Sequence, residues 1–228
     1  MAGAPEQPNY VSRGGLKLRH ALDTFGLDVT GFTCADFGCN VGGFTDCLLQ
    51  GGAARVYAID TGYGELAWTL RNDPRVIVME RTNALRGEPP APEDRVDLVV
   101  IDMGWTPQAK AIPAALRWLK PRATEVGSAT SAPAAEDAEA HSAAPAGIIT
   151  LIKPHYELAA DEKHLLTRGV LPDDTAEHIA RRTADAMGGY GARLLGLTQS
   201  PIRGGKGKGR AGNREWLALL RPSPAHDR

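Results

Sequence analysis

The run Asp36-Phe37-Gly38-Cys39-Asn40-Val41-Gly42-Gly43-Phe44 is the stretch of this chain whose residue types could do chemistry. An apolar run, 32–35, leads into it and a helix-like run, 44–49, follows; a second apolar run, 55–59, then ends on Asp60. That order reads as strand, glycine turn, helix, strand, with an acid at the second strand's tip. Glycines let backbone N–H groups approach a ligand closely, and a carboxylate at the strand end can accept both hydroxyls of a ribose. The spacing is not the dinucleotide fingerprint, because Gly38 is followed by three non-glycines before Gly42-Gly43. Asp36, directly before the turn, suits a ligand with a cationic amino-acid end, and S-adenosylmethionine is such a ligand. The alternative is an ordinary βαβ crossover that contains glycines. Further charges stand where a doubly wound sheet gathers its site, at the carboxyl ends of strands. Asp102 ends one apolar run, Lys153 ends another, and Glu215 opens the last, while Lys17 flanks the apolar stripe of an early helix. Singly, Lys153 could be a surface cap and Lys17 a solvated flank; the set of four is harder to dismiss.

The elements that must position these residues follow from periodicity. Leu18, Ala21, Leu22 and Phe25 fall on one helical face over 14–25, with Gly26 as its cap. Strands are expected at 33–37, 55–59, 76–80, 96–101 and 148–152, the fourth an almost continuous apolar run of the kind buried on both faces. Helices are expected around Leu66 and Leu70, over 107–119, and over 175–187 with Asp173 or Asp174 as its cap. Two closing strands, 192–197 and 215–220, flank a glycine-rich basic loop. Alternating strands and helices predict an α/β fold: a doubly wound, mostly parallel sheet with a C-terminal antiparallel hairpin.

Composition sets the outer bounds. The 228 residues fit one substantial domain, 43% hydrophobic and 23% charged. We expect it over 10–222, between disordered ends at 1–9 and 223–228, with a low-complexity insertion at 122–146 too rich in Ala, Ser, Pro and Glu to build a core. Cys34, Cys39 and Cys47 are an odd number without a C-x-x-C pair, which argues for a reducing compartment and against a disulfide framework or a zinc site. No metal is expected. No run is long enough to cross a bilayer and the start is no secretory signal, so a cytoplasmic protein is expected. The net charge of −1 offers nucleic acid nothing, yet 203–214 holds Arg203, Lys206, Lys208, Arg210 and Arg214 with no acid. That loop suits a phosphate backbone, or is a solvated surface loop. Trp105 is read as a packing residue, with base stacking as the alternative.

Longer motifs point to a family. Tyr10-Val11-Ser12-Arg13-Gly14-Gly15-Leu16-Lys17-Leu18 resembles the opening of the methyltransferase domain in the haemolysin A-like branch of the FtsJ-like ribose 2′-O-methyltransferases. The similarity continues at 42–49, 62–64, 70–76 and 80–83, and returns at Ile152-Lys153-Pro154-His155-Tyr156-Glu157, Ser200-Pro201-Ile202 and Gly212-Asn213-Arg214-Glu215. The resemblance implies a Rossmann-like, S-adenosylmethionine-dependent methyltransferase acting on RNA, ribosomal RNA above all. It implies a Lys-Asp-Lys-Glu catalytic tetrad at Lys17, Asp102, Lys153 and Glu215. Lys153 would take the hydroxyl proton or steer the oxygen lone pair, Lys17 would add positive charge, and the two acids would orient the lysines. It assigns the Asp36–Gly43 turn, including Gly38, Cys39, Asn40 and Gly42 and running on to Phe44, to the methionine end of the cofactor. Asp60 would meet the ribose, Thr82 and Asn83 the adenine edge, and Asp102 the cofactor as well. Arg13, Lys206, Lys208 and Arg210 would contact RNA.

The chain also departs from that family. Its usual member carries an N-terminal RNA-binding module of the S4 type, whereas this sequence opens at the methyltransferase domain. Met103-Gly104-Trp105 replaces the usual Val-Ser-Phe type of sequence. Two other readings therefore stand beside the first: an RNA- or ribosome-binding protein that keeps the fold without catalysis, and a methyltransferase on another substrate. Exocyclic base methylation is disfavoured, since Asp102-Met103-Gly104-Trp105 is not the Asn/Asp-Pro-Pro-aromatic signature.

Overall fold

A computed structural model describes residues 9–121, 147–205 and 212–224. The chain ends up to 8 and from 225, the insertion 122–146, and Lys206, Lys208 and Arg210 lie outside the described residues, and with them the expectations made there.

Among the described residues, seven strands form one sheet in the order β3-β2-β1-β4-β5-β7-β6. They are β1 (Thr33–Phe37), β2 (Arg55–Ile59), β3 (Val76–Met79), β4 (Leu98–Ile101), β5 (Gly147–Ile152), β6 (Ala192–Gln199) and β7 (Trp216–Pro222). The first five pair in parallel, and β7 runs antiparallel to both of its neighbours. This is the expected doubly wound sheet with its closing antiparallel pair.

Helices cover both faces: α1 (Gly14–Phe25), α2 (Gly43–Gln50), the single turn α3 (Trp68–Arg71), α4 (Gln108–Trp118) and α5 (Asp173–Asp185). Alternation within each strand divides the core in two. Val99 and Ile101 of β4 face the layer that contains Trp118 and Ile112 of α4 and Ile179 of α5. Leu98 and Val100 face Leu18 and Leu22 of α1 and Leu48 of α2. Every residue of β4 and β5 is buried, as their unbroken apolar runs require. Trp118 anchors the first layer: its ring meets Phe37 and Tyr57 edge-on, and its Nε1–H donates to Gly87 O (3.0 Å).

Two local expectations change. The helix expected around Leu66 and Leu70 is only the α3 turn, because Leu66 packs with Leu70 against Gly42 before the turn begins. Pro172, not Asp173 or Asp174, precedes the first helical residue of α5, and Asp173 caps nothing. Its carboxylate is drawn instead to two arginines of the closing loop.

Candidate active site

Strand register builds the site. Phe37 lies opposite Ile59 on one side and Ile101 on the other, so Gly38 emerges between Asp60 and Asp102 at the carboxyl rim. Gly38 needs to be glycine: its φ is +83°, and a Cβ there would stand 3.0 Å from Asp102 O. Its N–H and that of Cys39 donate to Ile59 O (2.9 and 3.1 Å). The Asp60 carboxylate is then fixed by two backbone donors, Asn40 N–H to Oδ2 (2.9 Å) and Gly62 N–H to Oδ1 (2.7 Å). Each oxygen keeps a further lone pair, which is what a vicinal diol would need. Thr82 N–H donates to Asp60 O (2.9 Å), and this brings Thr82 and the exposed Asn83 to the same edge.

Other members of the turn are committed to the protein. Asp36 is fully buried beneath the turn; its Oδ2 accepts from Thr45 N–H (2.9 Å) and Thr45 Oγ1 (2.7 Å). Burial raises this carboxyl to about 7, against the pull of the Thr45 bonds. Asp36 thus pins the first turn of α2 through Oδ2, while its Oδ1 is buried without a hydrogen-bond partner among the described residues. A Cβ on Gly42 would collide with Leu70 and Leu66, and one on Gly43 with Ser12 and the backbone of Gly15. These two glycines admit α1 and the 66–70 segment. Phe44 and Cys39 are buried in the same core, and burial pushes the Cys39 thiol up, away from any nucleophilic role.

The four charged residues meet at one rim as two pairs. Ile152 stands opposite Trp216, so Lys153 and Glu215 follow and precede neighbouring positions of adjacent antiparallel strands. Lys153 Nζ lies 2.6 Å from Asp102 Oδ1 and 3.3 Å from Met103 O. Lys17 Nζ lies 2.5 Å from Glu215 Oε2, with both side chains buried. Burial raises the Glu215 carboxyl; the Lys17 charge and hydrogen bond oppose it, and Lys153 and Asp102 act on it as well. The pairs therefore sit in one electrostatic field. Arg13, preceding α1, donates from Nη2 to Gly205 O (2.6 Å) at the foot of the basic loop.

Trp105 is not a packing residue. It is 85% exposed with φ +61°, and its ring meets only the edge of the fold, 4.9 Å from Tyr156. Tyr156 in turn contacts His155, whose imidazole burial and the Lys153 charge hold down to about 4. On the other side of the turn, the Arg81 guanidinium lies 4.2 Å over the exposed Tyr63 ring. Only the motif runs at 62–64 and 80–83 hinted at these two. Nothing local pointed to Gln108, and only the motif run at 152–157 hinted at Glu157. Gln108 ties α4 to β5, accepting from Thr150 Oγ1 (2.7 Å) and donating to Leu151 O (3.3 Å), while its N–H donates to Glu157 Oε1 (3.0 Å).

Burial raises Glu157 to about 7, from 4.5 in the unfolded chain. Between those values the folded state holds a proton the unfolded state has released, so stability falls as pH rises across that window. Glu157→Gln keeps an acceptor for Gln108 N–H and removes this slope. Asp36 carries the same sign and His155 the opposite one below 6.5. Melting temperatures from pH 4.5 to 8 should therefore converge at the acid end and leave Glu157→Gln more stable at pH 8; parallel curves would refute the assignment.

Among the described residues no helix is long and apolar enough to cross a membrane, and no group of three or more His, Cys, Asp or Glu is placed to hold a metal. The family model of FtsJ-like methyltransferases matches residues 10–207. The 16S/23S rRNA (cytidine-2′-O)-methyltransferase TlyA of Mycobacterium tuberculosis is 38% identical over 221 residues, covering 93% of this chain and 68% of that protein. A solved structure from Lactococcus lactis, assigned as a hemolysin, aligns with a TM-score of 0.74 at 33% identity, covering 92% of this chain and 88% of its own. An S-adenosylmethionine-dependent methyltransferase from Mesorhizobium loti, 14% identical with a TM-score of 0.54, shares the fold over 89% of this chain and 96% of its own.

Proposed function

Because the chain belongs to the FtsJ-like methyltransferase family, we propose that it methylates a ribose 2′-hydroxyl of RNA, with ribosomal RNA as the substrate class and S-adenosylmethionine as donor. The observation that carries this reading is the meeting of two lysine–carboxylate pairs at one rim, beside an acid held by two backbone amides. The activity named for the Mycobacterium tuberculosis relative supports it.

In this reading Asp60 holds the ribose of the donor, Thr82 and Asn83 flank its base, and Gly38, Cys39 and Asn40 lie along its methionine end. Asp36, Gly42, Gly43 and Phe44 contribute by shaping the turn from beneath. When bound, S-adenosylmethionine supplies a sulfonium methyl whose transfer to oxygen leaves a neutral thioether. A ribose hydroxyl is a weak acid, so its oxygen must be aimed and its proton must leave. The Lys153 nitrogen has two of its tetrahedral positions committed, to Asp102 Oδ1 and Met103 O. The third is free to meet the hydroxyl, to take its proton when the amine is neutral and to steer its lone pair. Lys17, paired with Glu215 at the same rim, would favour a developing alkoxide or an adjacent phosphate. Trp105 over Tyr156 offers a face on which an unstacked base can lie. Arg13, Lys206, Lys208 and Arg210 provide charge for the RNA backbone.

The test begins with the donor. Calorimetric titration with S-adenosylmethionine should give micromolar binding that is lost in Asp60→Ala. Labelled methyl groups should then enter ribosomal RNA at alkali-resistant linkages, the mark of a blocked 2′-hydroxyl. Absence of binding, or label confined to bases, would sink the proposal.

A further inference from the structure

Two arginines share one carboxylate at the neck of the loop that delivers Glu215. Arg203 donates from Nη1 to Asp173 Oδ1 (2.9 Å) and from Nη2 to Oδ2 (2.7 Å), a bidentate pair, and Nη1 also reaches Gly212 O (3.2 Å). Arg214 Nε stands 2.8 Å from Asp173 Oδ2. Asp173, the first residue of α5, thereby holds the outgoing limb of one loop by two hydrogen bonds and the returning limb by an ion pair. Beside this clamp, Gly204 N–H donates to Asn213 O (2.9 Å). The buried Asn213 side chain accepts from Leu171 N–H (2.8 Å) and donates to Gly169 O (2.9 Å). Glu215 follows Arg214 directly, and a Cβ placed on Gly204 would overlap its carboxylate. The neck thus lies against the acid that neutralises Lys17.

We infer that Asp173 is a positioning residue: by closing the neck formed by 203–205 and 212–214, it fixes where Glu215 meets Lys17. The inference rests on the reading of Glu215 as part of the methyl-transfer site. A bidentate arginine–carboxylate pair imposes geometry more than it supplies energy, and pairs as exposed as these contribute little to overall stability. Arg203 first, then Arg214, hold the Asp173 carboxyl down to about 2, so the clamp stays charged at any working pH. Position and stability can therefore be separated by experiment.

The test compares Asp173→Asn with Asp174→Asn, which removes the same charge from the same helix start without touching the loop. Two amides report the neck without reference to activity: Gly204 N–H, and Ser200 N–H, which donates to Glu215 O (2.8 Å). In Asp173→Asn their hydrogen exchange should accelerate about tenfold. The kcat for methyl transfer from S-adenosylmethionine to ribosomal RNA should fall about tenfold with the KM for S-adenosylmethionine unchanged. Asp174→Asn should change neither, and Asp173→Asn should add less once Arg203→Gln is present, since only the Arg214 contact is then left to lose. Unchanged exchange at both amides, an equal effect of Asp174→Asn, or faster exchange with unaltered kcat would each overturn the inference. A wild-type protein that methylates no ribosomal RNA would refute the function proposed above, and the exchange at Gly204 and Ser200 would still decide whether Asp173 sets Glu215.

Discussion

Lys153→Ala is expected to slow methyl transfer to RNA about a thousandfold, within the range that loss of a positioned acid or base produces. Affinity for S-adenosylmethionine should stay within about twofold, since Lys153 touches Asp102 and Met103 O and not the Asp60 edge. The fold should survive as well. Lys153 is half-buried, and the Asp102 carboxylate it leaves behind is one quarter exposed and open to water. The measurement is single-turnover transfer of labelled methyl, with calorimetry on the same preparation. A fall of tenfold or less would leave Lys153 as a surface cap and move the chemistry to Lys17.

Lys17→Ala should act on the fold first. Its partner Glu215 is 3% exposed, and removing one member of a buried pair strands the other without water or its hydrogen-bonded counter-charge, at a cost of about 3–5 kcal/mol. Urea unfolding at pH 8 should show the full deficit. Burial already raises the Glu215 carboxyl and Lys17 opposes that shift, so loss of Lys17 pushes it higher still. A carboxyl that binds its proton more tightly folded than unfolded loses stability as pH rises, so the deficit should shrink toward pH 5. The double variant Lys17→Ala with Glu215→Gln should recover part of it, because no buried charge is then left alone. A deficit independent of pH would mean that lost packing by the lysine stem, not the stranded carboxylate, is what the variant measures.

These residues were legible in the sequence to different depths. The expected strands 33–37, 55–59 and 148–152 became β1, β2 and β5 almost residue for residue, because a strand buried on both faces must be largely apolar. Asp60, Asp102 and Lys153 were visible because they end such runs, and a parallel sheet brings its strand ends to one rim. Glu215 came into view only through the antiparallel direction of the last strand. What could not be read was how each residue is spent. Gly42 and Gly43 resemble ligand-facing glycines, yet their missing side chains make room for Leu70 and for the start of α1. Asp36 looks available beside the turn, yet Thr45, nine residues on, claims one of its oxygens. The exposure of Trp105 follows from a left-handed backbone at a tryptophan, which no local preference would suggest. The Asp173 clamp joins residues 30 and 41 positions apart, beyond the reach of any periodicity.

The place of β7 sets the order in which the molecule can be completed. It lies between β5 and β6, and among the described residues β6 pairs with no other strand, so β6 has no seat until β7, made after it, arrives. On a chain emerging from the ribosome, the free edge of β5 must wait for about seventy more residues. At ordinary rates of elongation that delay is roughly 4–14 s. Throughout it Lys17, Asp102 and Lys153 already exist, but the acid that balances Lys17 does not, and a bare strand edge stands open to any passing segment. Completion of the proposed site and protection from mispairing therefore arrive together, as a single late event in the biogenesis of the protein.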